Sequence, residues 1–140
     1  MIVWIKGATL SAVQCVDRAA VVRNEAATKS SIVHLITPGA GPPEPNAREA
    51  FVEVTRRYGE SVASAGVIIE RSGLLGMAVR SAVTGMIILA PKHYRVKVFD
   101  SIDDCAPWLS EQHERVTGTL LRAAELSGAL HKARSIALPA

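Results

Sequence analysis

A chain of 140 residues, 49% apolar and 21% charged, has the make-up of one folded domain that buries about 68–70% of its unfolded surface. Its 16 basic and 13 acidic residues leave a net charge of +3, with the signs interleaved and no Lys/Arg block, and aromatics are only 4%. That pattern speaks against disorder, a nucleic-acid surface or a base-stacking platform.

Ile2–Lys6 (IVWIK) is a β-branched and aromatic run ended by Gly7 and reads as a strand. From Thr9 to Lys29 the period changes. Leu10, Val13, Val16 or Asp17, Ala20 and Val21 recur near helical spacing, while Arg18, Arg23 and Glu25 face outward. Ser31–Ile36 is a second strand, stopped by Thr37-Pro38-Gly39 and the proline-rich loop PGAGPPEP. Asn46 then caps a helix, with Glu49 completing a capping box and Phe51, Val54, Tyr58 and Val62 forming the buried stripe.

Gly66–Glu70 is a third strand, apolar on both faces and therefore central. The helix over 74–89 is nearly all apolar and stops at Pro91. Its window approaches membrane-spanning length, but Arg80 lies near the middle, so a helix lying on a sheet is expected. Tyr94–Phe99 alternates Tyr94, Val96, Val98 with Arg95, Lys97, as a half-exposed edge strand does. Ser101 and Asp104 form another capping pair. Pro107 follows inside the helix, so either that helix kinks or a second one starts with Pro107 near N1. Leu109, Val116, Ala123 and Leu130 then recur every seven residues, weakened by Gly118 and Gly128, and SIALPA reads as a frayed tail.

The order β-α-β-α-β-α-β-α, with connections long enough to cross a sheet, predicts a single α/β layered domain. Residues 1–109 would form a four-stranded, mostly parallel sheet with right-handed crossover helices. Residues 110–140 would add an amphipathic helical extension and tail to the same domain.

ERSGLLGMAV, a strand ending in Glu70 and a helix opened by Ser72-Gly73-Leu74, resembles the acid-Ser-Ser-Gly-Leu turn of STAS domains, the fold of anti-sigma-factor antagonists. YRVKVFDSIDDCAPWL resembles the edge strand and Ala-x-x-Trp-Leu helix common in SpoIIAA-like bacterial proteins, with Cys105-Ala106-Pro107-Trp108-Leu109 in that place. The resemblance runs over residues 66–109 and more loosely from Met1. It implies a STAS-like binding module, not an enzyme. Arg71 stands where partner-switching STAS proteins carry a phosphorylatable serine. Ser72 matches the second serine and is the remaining candidate phosphosite, where a phosphate would meet a helix N-terminus and Arg71.

In parallel sheets, ligands bind beyond the carboxyl ends of the strands, near a topological switch point. Those ends gather Thr9, Thr37, Glu70, Arg71, Ser72, Asp100 and Ser101, and the Ser72-Gly73 amides with Arg71 suit an anion. The plainer alternative makes Ser72 a cap and pairs Glu70 with Arg71 or another neighbour. Arg80 and Thr84 are either a polar spot at a partner interface or a rim where Arg80 buries only its stem. The surplus helix either folds back over its own sheet or carries Leu109, Val116, Leu120, Ala123 and Leu130 to a partner.

His34, His93, His113 and His131 show no metal-ligand spacing, and Cys15 reads as a small buried side chain. Cys15 and Cys105 lie too far apart for a CxxC pair, which suits a reducing compartment. The start lacks the basic and long apolar regions of a signal peptide, so a cytoplasmic location is expected. No P-loop, HExxH, GxSxG or complete GxGxxG is present, and no cofactor, metal or catalytic residue is assigned. The leading expectation is a homodimer or other protein contact, without nucleic acid or an integral membrane segment. A small-ligand binder with a head-group site at Glu70, Arg71, Ser72, Gly73, Thr9, Thr37 and Asp100 is the second. An enzyme using Glu70 or Asp100 as acid or base is the third.

Overall fold

The computed structural model describes residues 2–4, 9–25, 28–89 and 93–138, apart from the side chains of 2–4, 20 and 22–25. The strands β1 (Ile2–Trp4), β2 (Ser30–Ile36), β3 (Val62–Ile69) and β4 (Arg95–Phe99) pair in parallel, in chain order. The helices α1 (Leu10–Glu25), α2 (Pro45–Tyr58) and α3 (Gly73–Leu89) connect them. After β4 come α4 (Ile102–Thr117) and α5 (Ala123–Ala137). The α/β class and the parallel pairing follow from the alternation of periods in the sequence.

Side-chain alternation divides the core in two. Ile36, Val67 and Ile69 point to one face and pack with Val13, Ala47, Val79, Val83 and Met86 of α1 to α3. Val33, Leu35, Ile68 and Phe99 point to the other, against Ile102, Cys105 and Leu109 of α4 and Leu130 of α5. β3 lies between β2 and β4 and is buried at every position, and its one polar side chain, Ser64, is hydrogen-bonded to Ser31. Each fully buried side chain such as Leu35 or Ile68 contributes about 1.5–3 kcal/mol. Because the strand order never reverses, there is no switch-point crevice at the strand ends. That removes the topological ground for expecting a ligand there.

Several boundaries differ from the sequence expectation. α2 starts at Pro45, not after an Asn46 cap: proline's fixed φ suits a first helical position, Glu44 precedes it, and Asn46 Oδ1 only accepts from the Ala47 amide. Val62 belongs to β3, not to the stripe of α2, which stops at Tyr58 before a tight 3-10 turn over Gly59–Ser61. Gly59 has an ordinary helical φ of −60°, and a Cβ there would lie 2.8 Å from the exposed His93 ring, which would have to shift. Among the described side chains of α1 just Val13 is deeply buried, while Leu10 and Val21 remain exposed and Cys15 faces solvent, not the core. That helix leans on α2, with Asp17 3.3 Å from Arg57, more than on the sheet.

Ser101 caps α4 as expected, accepting from the Asp104 amide at 3.1 Å and donating to the Asp104 carboxylate at 2.6 Å. Pro107 does not divide the helix. It withholds one N–H, from the Asp103 carbonyl in the exposed first turns. The break comes at Gly118, left-handed at φ 71, whose N–H donates to Glu114 O at 2.8 Å. The heptad seam is therefore no single surface. Leu109 and Leu130 are buried together in the chain's own core, Ala123 is half-buried, and Val116 and Leu120 are exposed. The extension folds back over its own sheet, and Ser135–Ala137 are helical, not frayed. The strand end at Lys6–Gly7, the outward placement of Arg23 and Glu25, the stop at Pro91 and the last two residues of the tail lie outside the described residues. No described helix is long and apolar enough to cross a membrane.

Candidate functional site

The predicted strand-end cluster is built around the turn after β2 and the start of α3. Thr37 is fully buried and accepts from the Ala40 amide at 3.0 Å. Arg71 reaches back to this turn, Nη1 donating to Ala40 O at 2.9 Å. Gly73 opens α3 with φ 77, which glycine tolerates. A Cβ on Gly76 would stand 2.2 Å from Arg71 O, so the first helical turn is wrapped on that carbonyl. The SGLLG stretch thus has a steric reason of its own.

Glu70 turns to the opposite face, where Arg134 Nε donates to its two oxygens at 2.9 and 2.7 Å. Asp100 is ion-paired with Arg80, which joins α3 to the end of β4 and leaves Arg80 partly exposed at the rim. Thr9 Oγ1 caps α1, accepting from the Ala12 amide at 3.3 Å. Ser72 and Gly73 are exposed at the front of α3. The structure therefore gathers Thr37 and Arg71 in one knot and assigns Thr9, Asp100 and Glu70 to separate contacts. Glu70 pairs with Arg134, not Arg71, across 64 residues that no local pattern connects.

Replacing Arg134 by alanine leaves the Glu70 carboxylate, 16% exposed, without its counter-charge. The expected result is a loss of about 1–3 kcal/mol in urea unfolding, largely recovered when Glu70→Gln is added. Independent effects that simply add would remove the pairing from the account of stability.

α3 carries a second candidate surface. Gly76, Val79, Val83 and Met86 are all it buries. Leu74, Leu75, Met77, Ile88 and Leu89 remain 81, 55, 60, 69 and 75% exposed. The stripe between its ends is made of small or short polar residues, Ser81, Thr84 and Gly85, and a Cβ on Gly85 would meet nothing within 4 Å.

Two polar groupings were not visible in sequence. Ser31 Oγ lies 2.9 Å from Ser64 Oγ and 2.9 Å from His113 Nδ1. Burial pulls the pKa of His113 below its usual value, which favours the neutral ring as acceptor for the Ser31 hydroxyl. The three residues stand on β2, β3 and α4, so only the fold brings them together. His34, inside β2, meets Phe51 edge-on at 5.3 Å and borders a small apolar cavity of about 30 Å³. Burial lowers its pKa to about 4, so it is neutral near pH 7. The Cys105 thiol is pushed up to about 12 by burial and stays protonated. Among the described residues no three His, Cys, Asp or Glu side chains come together as a metal site.

No family model, curated protein or solved structure matches this chain.

Proposed function

We propose that this chain is a STAS-like, non-enzymatic interaction module that pairs first with a second copy of itself through the exposed face of α3. The observation that carries the reading is the five large apolar side chains that α3 presents to solvent, an exposure that marks interaction surfaces. Large residues occupy both ends of the stripe and small ones its middle. Two such helices crossing antiparallel about a two-fold axis at Ser81 would set Leu74 of one copy against Ile88 and Leu89 of the other, and Met77 against Gly85. Arg48 and Glu49, beside Ser81 and Gly85 on the α2 flank, offer both charge signs to a matching copy.

Ser72, exposed immediately before Leu74, is where a phosphate would add about 1.5–2 negative charges to the rim of this face. The cytoplasm suits two cysteines that are both free. The rival head-group site at Arg71, Ser72 and Gly73 has less support. Arg71 already donates to Ala40 O, and Thr37 is buried away from solvent.

Sedimentation velocity over a wide concentration range tests the reading. The wild type is expected to dimerise. Gly85→Arg, which has open space in the single chain and removes a helix penalty of about 1 kcal/mol, should be monomeric with no loss of thermal stability. A wild type that stays monomeric, or a Gly85→Arg dimer of unchanged affinity, would sink it.

A further inference from the structure

At the amino ends of the strands, opposite the cluster around Glu70, two open clefts meet. The first, about 610 Å³, has Lys29, His93, Arg95 and Arg115 among its walls. The second, about 770 Å³, lies between the start of β2 and the α4–α5 pair, where Val116, Leu121 and Leu126 line it. Lys29 and Val116 belong to both, so the cationic cleft runs into the apolar one. Both volumes fall in the range of small-molecule sites, about 300–1,000 Å³.

The charge is one-signed. Neither cleft has an aspartate or glutamate among its described walls. Among the described residues Lys29 and Arg95 form no ion pair, and Arg95 Nη1 has only the neutral Gln112 Oε1 at 3.2 Å. Arg115 shares its charge with Glu111, one turn back on α4. Tyr94 is the aromatic side chain here, too little for stacked bases. Uncompensated cations beside an apolar wall complement an anion that carries an aliphatic body.

We infer that this cleft binds one free, single-tailed aliphatic anion, a carboxylate or phosphate monoester. Its head lies among Lys29, Arg95 and Arg115, and its chain lies along Val116, Leu121 and Leu126. Val116, 46% exposed without a partner inside the chain's core, then has an occupant to cover it. The surface lies at the other end of the sheet from the Ser72–Gly73 turn, and the inference does not depend on pairing through α3.

Calorimetric titration of the full chain with dodecanoate, below its micelle concentration, tests this. Saturable one-to-one binding is expected, with dodecyltrimethylammonium, the same tail with the opposite charge, at least about tenfold weaker. The double variant Lys29→Glu/Arg95→Glu should lose about tenfold in dodecanoate affinity at an unchanged thermal midpoint. Val116→Glu, at an exposed position, should do the same and decides the matter if the double variant fails to fold. No saturable binding, equal affinity for the two amphiphiles, or unchanged affinity in the variants would overturn the inference. So would capture of a single-stranded oligonucleotide or of phosphatidylglycerol vesicles in place of monomeric dodecanoate.

Discussion

Gly66→Ala is expected to destabilise the protein by about 1–3 kcal/mol, at the upper end of that range, although it adds a single methyl group. Gly66 sits on the central strand, and a Cβ there would fall 2.4 Å from Cys105 Sγ, with Phe99 and Leu109 at 3.8 and 3.9 Å behind it. Cys105 is fully buried on α4, and the strand is held by neighbours on both sides. Since the clash is with one sulfur atom, Cys105→Ala in the same chain should restore most of the loss. Cys105→Ala alone leaves a small void and costs about 1 kcal/mol. The double-mutant cycle in urea therefore shows strong coupling. Thiol labelling gives a second reading, because the Gly66→Ala variant should release Cys105 to reagents that reach only Cys15 in the wild type. A Gly66→Ala variant as stable as wild type would mean that α4 does not pack this closely on β3.

Acid should weaken the fold through His34 before it titrates most carboxylates. Burial holds the folded pKa at about 4 against 6.5 for a free histidine, so between those values the unfolded chain binds the extra proton. Stability is complete above about pH 6.5 and falls as the pH drops towards about 4. The gap of 2.5 between 6.5 and about 4 corresponds to a loss of about 3 kcal/mol across that window. His34→Phe keeps an aromatic ring against Phe51, and the small adjoining cavity takes the extra volume. Urea midpoints of the two proteins, compared at several pH values from neutral to about 4, isolate the histidine from the acidic groups they share. The wild type should lose more stability than the variant. Parallel pH curves would show that the ring is hydrated in the folded protein.

The sequence pattern carries the strands and α3 well because each is set by a local signal. The second half of β3 is apolar without interruption, β4 alternates, and α3 has too many apolar residues for any period but a helix against a sheet. Boundaries fail where one residue satisfies two patterns. Val62 fits both the stripe of α2 and the first position of β3, and the tight turn over Gly59–Ser61 puts it on the strand. The heptad from Leu109 to Leu130 is real as spacing, yet a left-handed Gly118 turns it into two helices facing one another. At the site, Arg71, Ser72 and Gly73 stand where the strand-helix turn predicts. The Glu70–Arg134, Arg80–Asp100 and Ser31–Ser64–His113 contacts span 64, 20 and up to 82 residues. Charge and polarity mark such residues as candidates, but only the packed fold selects their partners.

The sequential strand order also bears on how the chain reaches its native form. Paired residues stand 32 apart between β1 and β2 (Ile2 with His34), 33 between β2 and β3 (Ser31 with Ser64) and 31 between β3 and β4 (Ala65 with Val96). Every strand docks on the one made just before it, after one helix of intervening chain. No docking step waits for a distant segment, so contact order stays low for a parallel sheet and the fold can grow by accretion from the ribosome outward. Its unfinished state is one-sided: the face of Val33, Leu35 and Ile68 stays bare until α4 and α5 arrive. The last quarter of the chain is therefore the lid on an otherwise sticky nascent sheet, and synthesis that stalls before it leaves the species most prone to aggregate.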